Sequence, residues 1–435
     1  MGMVAHRVFE WLWYGTTDDL GRRIAARLLR PLEKLYLAGL RFDQTARRRQ
    51  CQSLPCPVVS IGNLTVGGTG KTPAVLWIAR HLAHRGLTVT ILSRGYGRSG
   101  SETVKVQLDA PTHELAGRYG DEPVLLARTL PHVSVWVGSD RAKSGSHAVD
   151  HDHPDIIVLD DGFQHLQLHR DLDFVLLDAA RPLGNGKLLP AGPLREPPEH
   201  LVRAHAIVLV GETRNERQAV NLIRGYVSAE IPIFRARLEP EGFYHAATME
   251  PLGIAACPTS KAGDDFIGSK DFRPAMYAGG TPELPGTGSL SDTVPGKKPL
   301  SRELLSERAT HGEGFDGKCA SFKNEPARLK VLEEPCLAVA GIARPERFFN
   351  MLRHLGITCR ASMAFPDHHR WTLEDVRALR RKLQTTGARW VVTTEKDAVR
   401  MPPALAERAL FLRIRMDFGS DTEPLVRILW TRLKA

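Results

Sequence analysis

Pro57-Val58-Val59-Ser60-Ile61-Gly62-Asn63-Leu64-Thr65-Val66-Gly67-Gly68-Thr69-Gly70-Lys71-Thr72 runs from a β-branched stretch through a glycine-rich loop, and residues 74–82 after it carry apolar positions at helical spacing. The order predicts strand, loop, helix. Glycines let such a loop bring its N–H groups close to phosphate oxygens, and the helix N-terminus adds a favourable dipole. In that arrangement Thr65, Val66, Gly67, Gly68, Thr69 and Gly70 wrap the phosphates of a nucleoside triphosphate. Lys71 reaches the outer phosphates and the Thr72 hydroxyl reaches Mg²⁺. Thr65 stands where the common pattern has glycine. The competing reading is a strand-to-helix turn with an incidental lysine.

A second stretch weighs against that alternative. Asp155-Ile156-Ile157-Val158-Leu159-Asp160-Asp161 reads as a buried strand ending in two carboxylates, the placement that delivers acid to a nucleotide-bound Mg²⁺. Similar apolar runs recur at Val89-Thr90-Ile91-Leu92, Val133-Ser134-Val135-Trp136-Val137, Phe174-Val175-Leu176-Leu177 and Ala206-Ile207-Val208-Leu209-Val210. Several are separated by enough chain for a crossover helix. The expected class is therefore α/β: a mostly parallel sheet in a P-loop NTPase-like lobe, with ligands at the carboxyl ends of the strands. Alternation resumes at Cys336-Leu337-Ala338-Val339-Ala340-Gly341 and Trp390-Val391-Val392-Thr393-Thr394, which predicts a second, smaller α/β lobe.

The 435 residues, 42% hydrophobic and 25% charged, are ordinary for a globular chain of about two domains and argue against wholesale disorder. The net charge of +10 points to an anionic partner without choosing among nucleic acid, anionic lipid and a phosphorylated substrate. The six cysteines show no metal-binding spacing and read as reduced thiols. Neither a signal peptide nor a membrane-spanning run is evident, so a cytoplasmic location is expected.

Expected boundaries are residues 1–40, an amphipathic helix; 41–240, the nucleotide lobe; 241–330, an insertion; and 331–435, the second lobe. In the first segment Leu20, Ile24, Leu28, Leu32 and Leu35 share a helical face, interleaved with Arg22, Arg23, Arg27, Arg30 and Lys34. Phe9, Trp11, Trp13 and Tyr14 precede them, and Pro31 is placed to kink the helix. The pattern fits an interfacial helix at a lipid surface. A helix packed on the domain is the alternative. The insertion lacks an apolar period around residues 277–289 and is expected to be partly disordered and dispensable.

Further polar clusters follow predicted strands or open predicted helices: Gly120-Asp121-Glu122-Pro123, Gly162-Phe163-Gln164-His165 and Gly192-Pro193-Leu194-Arg195-Glu196. Singly, each reads as a turn or cap. Phe365-Pro366-Asp367-His368-His369 places carboxylate beside imidazole, and phosphorylation of an alcohol needs a group to accept or orient the hydroxyl proton. Together with Ser60-Ile61-Gly62-Asn63-Leu64, Ser93-Arg94-Gly95-Tyr96-Gly97-Arg98, Leu189-Pro190-Ala191 before Gly192, Pro345-Glu346-Arg347-Phe348-Phe349 and Thr393-Thr394-Glu395-Lys396-Asp397-Ala398, these motifs closely resemble the tetraacyldisaccharide 4′-kinase family. The resemblance spans nearly all the chain outside the insertion.

The resemblance implies transfer of phosphate from ATP, with Mg²⁺, to the 4′-hydroxyl of a tetraacylated glucosamine disaccharide 1-phosphate on the route to lipid A. It implies a peripheral enzyme at the cytoplasmic face of the inner membrane, with no nucleic-acid partner. Its fold would be two α/β/α lobes joined by a β-ribbon, with the active cleft between them. By motif, Lys71 and the loop amides would hold the ATP phosphates. Thr72, Asp160, Asp161 and Glu196 would bind Mg²⁺ directly or through water. Asp121 would be the general base, paired with His368, while Arg195 and Gln164 would position phosphate and substrate. The chain departs from family usage at Ala343-Arg344, more often glycine and asparagine, and at Trp371, usually another aromatic. Two rival readings keep the loop but not the cleft: a nucleotide-switch or partitioning ATPase, and a nucleic-acid-dependent ATPase with a steep salt dependence.

Overall fold

A computed structural model of the chain describes residues 11–14, 20–253 and 333–434. Among these residues, thirteen strands form one mixed, mostly parallel sheet. Strand β1 (Val58–Asn63) lies between β5 (Ile156–Asp160) and β6 (Leu172–Asp178), all parallel. β2 (Val89–Ser93) and β4 (Ser134–Val137) extend the sheet on one side, and β7 (Ala206–Val210) on the other. Every residue of β1, β5, β6 and β7 is buried, as expected of parallel strands covered on both faces. Alternate residues feed two cores: Phe174, Leu176, Val208 and Val210 point into one, Val175, Leu177, Ile207 and Leu209 into the other.

The expected break at residue 240 falls inside an element. Strand β8 (Ile233–His245) pairs parallel with β7 through Ile233–Ala236, then antiparallel with β13 (Ala409–Asp417) from Arg237 onward. One long strand thereby welds both lobes into a single sheet. Residues 241–253, assigned from sequence to the insertion, complete β8 and form β9 (Pro251–Gly253); the rest of that insertion lies outside the described residues. The second lobe continues from β13 through β12 (Trp390–Thr394), β10 (Cys336–Ala340) and edge strand β11 (Cys359–Ala364).

The boundary between lobes is crossed again at the C-terminus. Helix Thr422–Lys434 leaves β13 and returns to the first lobe, where Leu425, Leu429 and Leu433 join the core formed by Val75, Ile78 and Leu82. Asp421 Oδ2 accepts from the backbone N–H of Arg235 at 2.7 Å beside that return. The same chain end therefore closes both lobes.

At the N-terminus, Pro31 does interrupt the helix: Leu20–Leu28 ends and Arg30–Arg49 begins, with proline in its first turn, where the missing N–H costs least. The second helix runs through the expected boundary at residue 40. Leu20, Leu28 and Leu35 are 67%, 74% and 70% exposed, so their shared apolar face is uncovered. The aromatic cluster is different. Trp13 Nε1 donates to the Pro190 carbonyl at 3.0 Å, and the Tyr14 ring lies 5.0 Å from the Arg344 guanidinium. Phe9 lies outside the described residues, whereas Trp13 and Tyr14 tie the segment to the protein.

Candidate active site

The glycine loop connects β1 to helix Lys71–His84 at the carboxyl edge of the sheet. Gly70 is the residue before the helix and adopts φ +84°, a conformation that side chains rarely tolerate, and Gly67 sits at φ +111° with open space where a Cβ would stand. Asn63, the last residue of β1, braces the loop: its Nδ2 donates to Thr69 Oγ1 at 3.1 Å and to the Gly67 carbonyl at 3.4 Å. The Leu189–Glu196 stretch clamps the other flank. Val66 N–H donates to the Pro193 carbonyl at 2.8 Å, Arg195 N–H donates to the Leu64 carbonyl at 2.9 Å, and Thr65 bridges Leu194. Thr65 is thus buried in an extended pairing that needs no glycine.

At the end of β5 the two acids diverge. Asp160 is buried and accepts from Ser93 Oγ at 2.9 Å; burial, with Glu122 and Asp161 nearby, pushes its carboxyl up to about 7. Asp161, at φ +52°, turns outward, where Arg195 Nη1 reaches both its oxygens at 3.1 and 3.0 Å and Lys71 Nζ lies 3.6 Å from Oδ1. Burial would raise Asp161, but Lys71 and Arg195 hold it at about 2. Gln164 completes the group, donating to the Asn63 carbonyl at 2.9 Å and facing Arg195 at 3.4 Å.

Glu196 has donors of its own. Its Oε2 accepts from Gln44 Nε2 at 2.7 Å and faces His200 Nδ1 at 2.7 Å and Arg203 Nη2 at 2.9 Å, while Oε1 is buried without a hydrogen-bond partner. Helix Arg30–Arg49 is joined to this corner through Gln44 and through Tyr36, whose hydroxyl donates to the Arg195 carbonyl at 2.8 Å.

The other half of the cleft is built by both lobes. Gly120, at φ +96°, comes within 3.0 Å of the Gly95 Cα measured from a would-be Cβ, and this close crossing starts helix Asp121–Thr129. Asp121 is its first residue, where the helix dipole favours a carboxylate. His368 Nδ1 lies 3.0 Å from Asp121 Oδ2 and 3.2 Å from Oδ1, although the residues are 247 positions apart. Arg400 Nε stands 3.6 Å from the same carboxylate. Burial opposes ionisation of Asp121, but His368, Lys396 and Arg400 hold its carboxyl down to about 2.

His368 is itself at φ +57°, an uncommon conformation for a residue with a Cβ, and is fixed there by its backbone N–H donating to Asp367 Oδ1 at 3.0 Å. The Thr394-Glu395-Lys396-Asp397 turn locks the neighbouring wall. Thr394 caps helix Glu395–Arg400 by accepting from Asp397 N–H at 3.1 Å, and Asp397 in turn accepts from Gly341 N–H at 2.9 Å and pairs with Arg400.

Of the residues singled out in the sequence, Lys71, Asp160, Asp161, Gln164 and Arg195 gather beside the loop, and Asp121 meets His368. Two residues went unnoticed. Arg141 is buried at the start of its helix with its charge near Asp160 and Asp161, burial drawing it down to about 10, and Arg400 backs Asp121. Each sits in an ordinary helix, and only its burial marks it.

A profile of the Tetraacyldisaccharide-1-P 4′-kinase family matches residues 25–261 and 297–434. A Syntrophobacter fumaroxidans tetraacyldisaccharide 4′-kinase is 36% identical over 96% of this chain and 91% of its own length. One from Syntrophus aciditrophicus is 35% identical over 93% of this chain and 92% of its own. A crystal structure of an Aquifex aeolicus LpxK in complex with ATP covers 94% of this chain and 99% of its own at 26% identity, with a TM-score of 0.59. Profile, relatives and fold coincide in a chain that carries a glycine loop and a carboxylate–imidazole pair, and the chain belongs to the tetraacyldisaccharide-1-P 4′-kinase family.

Proposed function

We infer that the chain, a kinase of this family, phosphorylates the 4′-hydroxyl of a tetraacylated glucosamine disaccharide 1-phosphate with ATP, in lipid A biosynthesis, and that transfer occurs between the glycine loop and Asp121. The carrying observation is that helix Asp121–Thr129, which opens at Asp121, packs in one core with helix Lys71–His84, which opens at the glycine loop. That packing supports placing the acceptor-activating pair near the loop.

In this reading the loop from Thr65 to Gly70 presents its amides to the phosphates, and Lys71 and Arg195 neutralise charge building on the transferred group. The acceptor hydroxyl is held at Asp121, which takes its proton as the oxygen attacks the γ-phosphorus and ADP departs. His368 keeps Asp121 aimed, and Gln164 helps place Arg195.

The residues present fit Mg²⁺. Thr72, Asp160 and Asp161 offer only oxygen, the orphaned Oε1 of buried Glu196 is an unused acceptor, and no all-protein cage of three or more His, Cys, Asp or Glu occurs among the described residues. That set suits a cation held by one or two carboxylates and substrate phosphates. When bound, Mg²⁺ offsets negative charge on the β- and γ-phosphate oxygens.

The layout expected from sequence supports a membrane-facing role for helices Leu20–Leu28 and Arg30–Arg49: their apolar face is exposed, and no described helix is long and apolar enough to cross a bilayer. Replacing Arg23 and Arg27 by glutamate should weaken binding to anionic vesicles by about 1 kcal/mol or more per residue. Unchanged partitioning would favour a helix that serves only the protein. For the activity itself, purified protein is given γ-labelled ATP, Mg²⁺ and the lipid disaccharide monophosphate. Label should move to the glycolipid; ATP hydrolysis stimulated by DNA or RNA, without labelled lipid, would overturn the reading.

A further inference from the structure

Lys396 belongs to a motif that the reaction above leaves without a role. Its side chain is half-buried at the junction of the lobes, with Nζ 3.0 Å from Glu122 Oε1, 3.1 Å from His368 Nε2 and 3.7 Å from Asp367 Oδ1. Burial opposes its charge, yet Glu122, Asp367 and Asp121 together raise it above the ordinary lysine value. The group is an ammonium throughout the neutral range.

An ammonium has three N–H donors and no acceptor. At 3.1 Å it can only donate to His368 Nε2, which must then offer its lone pair. The ring hydrogen is left on Nδ1, the nitrogen 3.0 Å from Asp121 Oδ2. We propose that Lys396 is a positioning residue that fixes His368 as its neutral Nδ1–H tautomer, so that Asp121 receives one neutral hydrogen bond and remains free to take the acceptor proton. This rests on Asp121 being the base.

Charge around the ring explains why such a device is needed. His368 is faced by Asp121 from helix Asp121–Thr129, by Asp367 from its own loop and by Lys396 from helix Glu395–Arg400, with the Tyr96 ring covering it at 4.9 Å between centroids; Glu122 pairs with Lys396, and Arg400 stands beside Asp121. The two carboxylates favour an imidazolium. The ammonium at Nε2 opposes it, because a proton there would meet a like charge within hydrogen-bond distance. Without Lys396, Nε2 would be free to take a second proton. Asp121 would then be locked in an ion pair, with less tendency to accept a proton.

The direct test is ¹⁵N NMR of histidine-labelled full-length protein, with the His368 signal assigned by its loss in His368→Gln. At neutral pH, Nδ1 should be protonated and Nε2 bare. An imidazolium or an Nε2–H tautomer would overturn the proposal. The kinetic test is Lys396→Met, whose rate should fall relative to wild type as the medium is made more acid and approach wild type in alkali. Lys396→Arg, still a permanent donor, should restore the flat profile. Loss by the same factor at every pH would mean that Lys396 only holds the lobes together. The NMR result does not depend on catalysis: full activity in Asp121→Ala beside an Nδ1–H signal would remove the base and leave the tautomer.

Discussion

At the phosphate loop, Lys71, Asp161, Gln164 and Arg195 all come from the first lobe, and the loop is braced by Asn63 and by the 189–195 stretch of the same lobe. At the acceptor end, Asp121 and Glu122 come from the first lobe, but His368, Lys396 and Arg400 come from the second. The first region takes its polar contacts from its own lobe, although the C-terminal helix packs on the helix that follows the loop. The second exists only while β8 and the C-terminal helix hold the lobes in register. Nucleotide binding and acceptor activation should therefore fail separately under mutation.

The largest effect is expected for Asp121→Ala. Losing a positioned base costs about 10³-fold in kcat, while ATP affinity, measured by titration calorimetry, should stay within a few-fold. Loss of ATP binding in that variant would break the separation. Lys71→Ala should do the reverse, lowering kcat/KM for ATP by about 10²-fold and weakening ATP binding, with His368 still paired to Asp121 by NMR.

Acid should weaken both regions over one window, because Asp161 is held as low as Asp121. Asp121 is held at about 2, below its ordinary 3.8, so its pairing stabilises the fold fully above about pH 4 and is lost as pH falls toward 2. Unfolding by urea should show wild type ahead of Asp121→Asn by an extra increment of about 2 kcal/mol at neutral pH, narrowing through that acid window. A gap independent of pH would show that the carboxylate's charge adds nothing.

A smaller effect is expected away from the chemistry. Asp178, at the end of β6, is buried and takes both Arg344 and Arg347 from the second lobe. Asp178→Ala strands the better-buried arginine and should cost about 2 kcal/mol of stability. Arg347→Ala should cost under about 1 kcal/mol, because its side chain is 43% exposed and Arg344 remains. Equal losses would mean that Arg344, which replaces the family's more usual residue, adds nothing to the latch.

The glycine-loop region was legible because its features are local. A loop, a helix start and a strand ending in Asp160 and Asp161 each carry their meaning within a few residues. Strand periodicity in β5, β6 and β7 was equally readable. The lobe boundary was not: Arg235, Arg237, Glu239 and Glu241 make β8 look like surface chain, since its outward side chains are polar. Arg141 and Arg400 were missed because an arginine on a helix is ordinarily solvated, and only burial beside a carboxylate gives it a role.

The Asp121–His368 pairing entered by resemblance rather than by spacing, as residues 247 apart have no local relation. Sequence alone determined the α/β class, the glycine loop between strand and helix, the paired acids and the family signature, because backbone conformation and strand burial are set over short range. Tertiary structure decided which nitrogen of His368 meets Asp121, where Lys396 puts its charge, and how one sheet spans both lobes. Those depend on distances between side chains that only the packed lobes bring within hydrogen-bonding range.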